Sequence, residues 1–210
     1  MNAGIAAKIL ALLPQTQCTR CGYPDCAAYA QSIADGTATI NQCPPGGAQG
    51  VEWLAAATGL PLSALNPENG VEGPRTVAFI DEDWCIGCTL CIDACPTDAI
   101  VGSNKLMHTV IEAYCTGCEL CLPVCPVDCI LLENVTGSST GWAAWSQEQA
   151  ALAKQRYEIG QIRRKRAIVE NDDPLKKKDV ELAILDKKRT VIEAALKRAR
   201  AKRDAGQGAP

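Results

Sequence analysis

Twelve of the thirteen cysteines in this chain fall into three groups of four. Thiolates are the ligands proteins use for structural zinc and for iron–sulfur clusters. Cys85, Cys88, Cys91 and Cys95 spell C-x2-C-x2-C-x3-C-P, and Cys115, Cys118, Cys121 and Cys125 spell it again. This spacing suits paired [4Fe–4S] clusters, where three close cysteines hold one cluster and the fourth reaches the other. Site A is therefore assigned Cys85, Cys88, Cys91 and Cys125. Site B takes Cys115, Cys118, Cys121 and Cys95. Zinc tetrads come more often as separated C-x2-C pairs, so the doubled run points away from zinc.

A third group lies upstream: Cys18, Cys21, Cys26 and Cys43, the last followed by Pro44. On spacing alone zinc is a rival here. The two neighbouring cluster sites favour a third cubane, because a third redox centre lengthens a wire and a zinc does not. Three [4Fe–4S] clusters are expected. Cys129 is the odd thiol; its partner in the repeat is Ala99, so it reads as a small buried hydrophobe. His108, the single histidine, reads as structural. Trp84 and Tyr114, each just before a first cysteine, are expected to shield the clusters from water. Gly87 and Gly117 are expected to let backbone approach inorganic sulfur. Pro96 and Pro126 should redirect the chain after the crossing ligand. No G-x-G-x-x-G or Walker pattern occurs, and no Ser/His/Asp set stands out. The chain reads as an electron carrier without a substrate-chemistry site of its own.

The elements that must position these cysteines can be read in outline. The expected fold is α+β: a small helical [4Fe–4S] module at 1–47, a connector at 48–75, a ferredoxin-type two-cluster domain at 76–133, a flexible linker at 134–145, a helical hairpin or coiled-coil tail at 146–203 and a disordered end at 204–210. Ile5, Ile9, Leu12 and Leu13 recur at helical spacing near the start. Val51 to Ala57 reads as a helix, followed by Gly and Pro punctuation. Short β-rich runs, Thr76–Ile80, His108–Ile111 and Ile130–Leu132, flank the two cysteine copies. Neither copy can bury a face alone, so the two should pack together with pseudo-two-fold symmetry. In the tail, Leu152, Ile159, Ile162 and Val169 form one seam. Leu175, Leu182, Leu185, Ile192 and Leu196 form another. Asn171-Asp172-Asp173-Pro174 between them reads as a helix stop and restart.

Charge divides the chain. Residues 1–141 carry 4 basic and 14 acidic side chains, and residues 142–210 carry 17 basic and 10 acidic. An acidic front half would steer the protein toward a basic face on a redox partner. The basic tail could dock an acidic protein or membrane surface; nucleic acid is disfavoured, since basic runs such as Arg163–Arg166 lack interleaved aromatics. Thirteen cysteines without a secretory signal argue for metal sites in a reducing compartment, so a cytoplasmic location is expected, with a peripheral place at the inner membrane as an option. No stretch reaches the ~20 apolar residues a spanning helix needs.

The first cysteine group reads Cys18-Thr-Arg-Cys21-Gly-Tyr-Pro-Asp-Cys26-Ala-Ala-Tyr-Ala and then Asn41-Gln-Cys43-Pro-Pro-Gly-Gly47. With the repeat, and with Ala99-Ile-Val-Gly102 and Met107-His-Thr-Val110 between its halves, it resembles the RnfB/RsxB component of the Rnf/Rsx electron transport complex. The resemblance covers roughly residues 8–133. It implies an iron–sulfur protein relaying electrons between a soluble donor or acceptor, such as ferredoxin or a flavoprotein, and a membrane-bound ion-translocating complex. All twelve grouped cysteines carry over as ligands. The membrane helix that usually opens family members is missing from this reading, and the basic helical tail is an addition. The expected function is low-potential electron transfer, as a soluble ferredoxin-like carrier or as a component of a membrane redox complex. The alternative is an iron–sulfur scaffold or sensor that docks through its tail.

Overall fold

The computed structural model describes residues 2–171, together with 186, 187, 189, 190, 192, 193 and 197. Residues up to Gly160 belong to one compact unit; a second begins at Gln161. The first unit is built on two larger cores, one helical and one around a pair of two-stranded sheets, with a small third cluster of Trp145, Ala150 and Ala153.

Three helices make the first core: α1 (Asn2–Ala11), α2 (Cys26–Ala34) and α3 (Gly47–Thr58). Helix α1 buries Ala6 and Ile9, and Leu13 just beyond its end is buried too, while Ile5 is exposed. The buried face is thus rotated by about one residue from the one the bulky side chains suggest, a shift the small Ala6 permits by close packing. Helix α2 starts at a cysteine because Asp25 caps it, its carboxylate accepting from the Ala28 N–H at 2.7 Å. Its buried Tyr29 donates to the Thr39 carbonyl at 2.8 Å and accepts from the Gln42 N–H at 3.1 Å. Those bonds fix the stretch that delivers Cys43. Helix α3 ends at Gly59, which takes the left-handed conformation common at helix ends.

The second core carries strands β1 (Thr76–Ile80), β2 (Ile100–Val101), β3 (Thr109–Val110) and β4 (Ile130–Asn134), with the short helix α4 (Leu90–Ala94). Strand β1 pairs antiparallel with β4, setting Ile80 opposite Ile130, and β2 pairs antiparallel with β3, setting Ile100 opposite Val110. The Asp81 N–H donates to the Cys129 carbonyl at 2.8 Å, and the Ile111 N–H donates to the Ala99 carbonyl at 2.7 Å. These contacts recur at one fixed offset along the chain.

The stretch 134–145, expected as a flexible linker, is pinned. Asn134 accepts from the Thr136 N–H, Thr136 accepts from the Arg75 N–H, and Thr140 bridges to Pro74. Helix α5 (Gly141–Ala144) follows, and the buried Trp145 donates through Nε1 to the Pro14 carbonyl at 2.8 Å. Ser, Thr and Asn serve here as local hydrogen-bonding groups, which composition alone reads as flexibility.

Helix α6 (Gln147–Asn171) carries the first seam, and the seam is exposed: Leu152, Ile159, Ile162 and Val169 all face solvent. The buried face is Ala150 and Ala153 instead, and Arg156 and Tyr157 follow one turn on. The Arg156 guanidinium donates to the Thr97 and Asp98 carbonyls at 2.7 and 2.9 Å and lies 3.6 Å over the Tyr114 ring. Tyr157 donates to Asp25 at 3.0 Å. Two alanines let the helix sit close, and two long polar side chains fasten it. Asn171 of the expected turn is the last residue of α6, and the rest of that turn and the second seam of the expected hairpin lie outside the described residues, apart from Ile192, which is exposed. Among the described residues no helix is long and apolar enough to cross a membrane.

Charged hydrogen bonds are worth about 1.5–3 kcal/mol each. Replacing Arg156 with Ala should therefore release the start of α6, speeding amide hydrogen exchange over residues 150–157 by about tenfold or more, given ~1.4 kcal/mol per decade. Hydrogen-exchange mass spectrometry reads this out.

Candidate metal centres

Both cysteine runs take the same backbone path. Gly87 and Gly117 both have φ of +67°, Thr89 and Glu119 have φ of +67° and +65°, and Asp98 and Asp128 have φ of +51° and +49°. Each loop thus curls its first three thiols inward, and each Asp re-aims the chain after the fourth. The two glycines also answer a demand within the chain itself. A Cβ on Gly87 would stand 2.5 Å from the Leu106 backbone, and one on Gly117 2.4 Å from the Thr76 carbonyl oxygen. The left-handed turn and the neighbouring chain segment both demand glycine.

The thiols meet around two cavities. One is lined by Cys85, Cys88, Cys91 and Cys125, closed by Ile80, Ile86, His108, Val127, Cys129 and Ile130. The other is lined by Cys95, Cys115, Cys118 and Cys121, with Ala78, Thr97, Ile100 and Leu132 among its walls. Each cavity thus combines three thiols of one run with the fourth of the other. Cys95, Cys115 and Cys121 are buried, as is Cys91; Cys85, Cys88, Cys118 and Cys125 are half-buried. All thirteen cysteines are free thiols. Among the described residues no three Cys, His, Asp or Glu side chains close on a single-ion point.

Backbone N–H groups aim at the sulfurs. Ala78 donates to Cys115 Sγ at 3.5 Å, His108 to Cys85 Sγ at 3.4 Å and Ala99 to Cys95 Sγ at 3.2 Å. Such donors favour the thiolate. Burial opposes them, and crowded neighbours add to it. Burial and then Cys88 and Cys85 push Cys91 up to about 11; burial and then Cys118, Cys115 and Cys95 push Cys121 up to about 12. Cys118 is pushed up to about 11 by burial, with the Cys95 and Cys115 charges adding to it. Burial works against Cys125 as a thiolate, yet the N–H groups of Val127, Cys129 and Asp128 and the Cys129 thiol hold it below the ordinary value. Four thiolates in one dry cavity repel one another, and only a strongly cationic guest lets all four ionise. The donor set fits an iron–sulfur core, which is held by four Cys thiolates.

The upstream group sits where the first core meets the loop 14–25. Gln15, Gln17 and Thr19 alternate in the left-handed region, an unusual path that turns Cys18 and Cys21 inward. Gln17 holds it: Oε1 accepts from the Cys26 N–H at 2.9 Å, and Nε2 donates to Gln15 at 3.3 Å. Burial, then Cys26 and Cys18, raises the Cys43 thiol well above its usual value. Burial and then the nearby Cys18 and Cys21 push Cys26 up to about 12. All four thiols thus share one electrostatic neighbourhood.

Two other expectations need correction or extension. Trp84 is 69% exposed and shields nothing, because Ile86, Val127 and Ile130 already close that cavity. Tyr114 is half-buried under Arg156. The residues that sequence reasoning missed are the joints between the modules. Thr116 donates to the Thr16 carbonyl at 2.9 Å, Arg20 pairs with Glu119 at 2.7 Å, and Arg75 donates to the Cys115 carbonyl at 2.7 Å. Glu72 accepts from the Ala48 N–H and the Thr140 hydroxyl, tying the connector to α3 and to the segment before α5. Arg20 and Thr116 could have been flagged only as polar residues inside cysteine motifs.

Two family models match these segments. Residues 78–132 match the model described as "4Fe-4S dicluster domain", and residues 13–45 match the one described as "Putative Fe-S cluster". Among curated proteins, the B component of the ion-translocating oxidoreductase complex of Azoarcus sp. (strain BH72) is 61% identical over 105 residues, 50% of this chain and 57% of that protein. The protein of the same name from Thiobacillus denitrificans is 58% identical over 107 residues, 51% of this chain and 57% of the relative. Over about half of its length the chain is similar to RnfB. It spans about half the length of the RnfB relatives it matches.

The two close glycine contacts give a direct test. Gly117→Ala meets the Thr76 carbonyl and a left-handed backbone together, a strain of about 1–3 kcal/mol. Anaerobically purified G117A should melt at a lower temperature and retain less iron than the unsubstituted chain, by calorimetry and iron assay. An unchanged melting point and iron content would show that the loop can relax.

Proposed function

We propose that the chain is an electron-transfer protein holding three [4Fe–4S] clusters, acting with partners of an RnfB-like redox complex. The observation that carries the reading is the pair of four-thiol cavities, each completed by the fourth cysteine of the opposite run. Cys85, Cys88, Cys91 and Cys125 would hold cluster A. Cys95, Cys115, Cys118 and Cys121 would hold cluster B. Cys18, Cys21, Cys26 and Cys43 would hold the N-terminal cluster. Such a group supplies reversible one-electron chemistry whose potential follows net charge, hydrogen bonds to sulfur and exposure. The recurrent strand pairs and loop angles support pseudo-two-fold symmetry between the halves of the dicluster region.

Contacts between the protein's own residues support an order for these sites. Thr16 meets Thr116, beside Cys115, and Arg20 meets Glu119, between Cys118 and Cys121. Asp25 and the carbonyls of Thr97 and Asp98 are joined through Tyr157 and Arg156 of α6, again on the Cys95 side. In this reading the N-terminal site docks beside B, and A is the site farther along the chain of clusters. Beside A stand exposed Trp84, Ile86, Leu106 and Met107, with Glu82 and Asp83 next to Trp84. This face suits a redox partner with an apolar patch inside a basic rim. Membership of an ion-translocating complex is the partner reading that the relatives' names favour.

Anaerobic iron and sulfide analysis of the full chain should give about 12 of each, three cubanes' worth, with electron paramagnetic resonance of the reduced protein showing interacting [4Fe–4S] signals. Stoichiometric zinc, or iron for two clusters only, would contradict the reading of the N-terminal group.

A further inference from the structure

The two dicluster cavities share their cysteine positions and differ in several wall residues: Ile86 and Val127 beside A stand where Thr116 and Thr97 stand beside B, and His108 and Cys129 stand where Ala78 and Ala99 do. Residues thirty apart occupy equivalent places: Ala78 and His108 each donate a backbone N–H to the first cysteine of a run, Cys115 and Cys85. Ala99 and Cys129 each stand four residues after a fourth cysteine, and their carbonyls accept from Ile111 and Asp81. At both places the side chain beside cavity B is a methyl group, and beside cavity A it is a hydrogen-bonding group.

Those two groups point at ligand sulfurs. His108 is 1% exposed, with Nδ1 3.4 Å from Cys91 Sγ. Its Nε2 is buried with no hydrogen-bond partner. Nδ1 therefore finds its partner in sulfur, and against a metal-bound thiolate it is the donor. Gly102 leaves the space the ring fills; a Cβ there would fall 2.2 Å from the imidazole Cδ2. Cys129 is buried, with Sγ 3.5 Å from Cys125 Sγ. Against a ligated Cys125 thiolate, the Cys129 S–H is the donor. Cavity B has Thr97 Oγ1 3.9 Å from Cys95 Sγ and Thr116 in its wall, but these hydroxyls donate to the Tyr114 and Thr16 carbonyls. Cavity A thus has two side-chain donors directed at its ligand sulfurs, and the hydroxyl protons beside cavity B are directed elsewhere.

We propose that His108 and Cys129 make cluster A the higher-potential centre of the dicluster pair, so that an electron shared between A and B rests on A. The proposal rests on the cluster assignment above. Its physical basis is that reduction adds negative charge which spreads onto the ligand sulfurs, and a fixed N–H or S–H dipole aimed at those sulfurs stabilises the reduced form. His108 and Cys129 are positioning residues: they act through Cys91 and Cys125. The arrangement gives site A, where Trp84 and Ile86 are exposed, the stronger hold on the electron.

The test is a redox titration of the anaerobic full-length protein, poised with dithionite and mediators and followed by electron paramagnetic resonance. It compares the unsubstituted chain with His108→Leu, His108→Asn and Cys129→Ala, and uses Cys121→Ser to mark the couple belonging to B. Leu fills the ring's volume without a donor; the Asn amide can replace the Nδ1–H. In the unsubstituted chain the A couple should lie above the couple that Cys121→Ser perturbs. His108→Leu should lower the A couple alone, cutting its reduced population at fixed potential about tenfold, which is ~59 mV for one electron. His108→Asn should restore most of that shift, and Cys129→Ala should give a smaller fall in the same couple. With iron content intact, a His108→Leu protein whose couples stay in place, or move together, overturns the proposal, as does an A couple lying below B. Iron missing from the A site of the unsubstituted protein would overturn the cluster assignment, and the proposal with it; the iron assay tells the two failures apart.

Discussion

Four thiolates crowded into one dry cavity are mutually repulsive and poorly solvated. Burial and neighbouring sulfurs both push Cys91, Cys121, Cys26 and Cys43 upward from the ordinary thiol range. Such a set persists as four anions only around a cationic guest, so in a domain of this kind metal binding and folding are one equilibrium. The backbone is organised around that demand. Left-handed residues at Gly87, Thr89, Gly117 and Glu119 aim the thiols inward, and N–H groups of Ala78, Ala99 and His108 complement them. The apolar core around Val77, Ile80, Ile100 and Ile130 packs directly against the ligand cysteines.

From this constraint follows the interlocking of the two runs. Because Cys95 lines the cavity of the second run and Cys125 that of the first, neither half can close its site alone. The strand pairs β1–β4 and β2–β3 add to the same interlock, since β1 and β4 stand at opposite ends of the dicluster region. The N-terminal module then attaches beside the second cavity through Thr16, Arg20 and the α6 clamp of Arg156 and Tyr157. A set of polar joints, each small, holds the three thiol groups in one unit.

Much of this was legible in the sequence, for a physical reason. Ligand spacing is local, so the doubled cysteine run announces a metal-binding repeat, and β-rich runs such as Thr76–Ile80 declare themselves by composition. What stayed hidden depends on contacts between distant residues. Arg156 reads as one basic residue of a basic tail until its carbonyl partners at Thr97 and Asp98 are seen. The heptad-like seam of Leu152 and Ile159 suggests a coiled-coil face, yet the helix packs through Ala150 and Ala153, whose small size allows closer approach. Trp84 looks like a shield by position but points to solvent. His108 looks structural as a lone histidine; only its place opposite Ala78 in the repeat gives it a distinct part.

The central claim is that three sets of four thiolates each hold an iron–sulfur cluster, with Cys95 and Cys125 crossing between the two halves. Anomalous diffraction at the iron and zinc edges from anaerobically grown crystals tests it most directly. The account predicts three iron centres, one bonded to Cys85, Cys88, Cys91 and Cys125, one to Cys95, Cys115, Cys118 and Cys121, and one to Cys18, Cys21, Cys26 and Cys43. A zinc signal at any of the three, or Cys95 and Cys125 bound within their own runs, would contradict it.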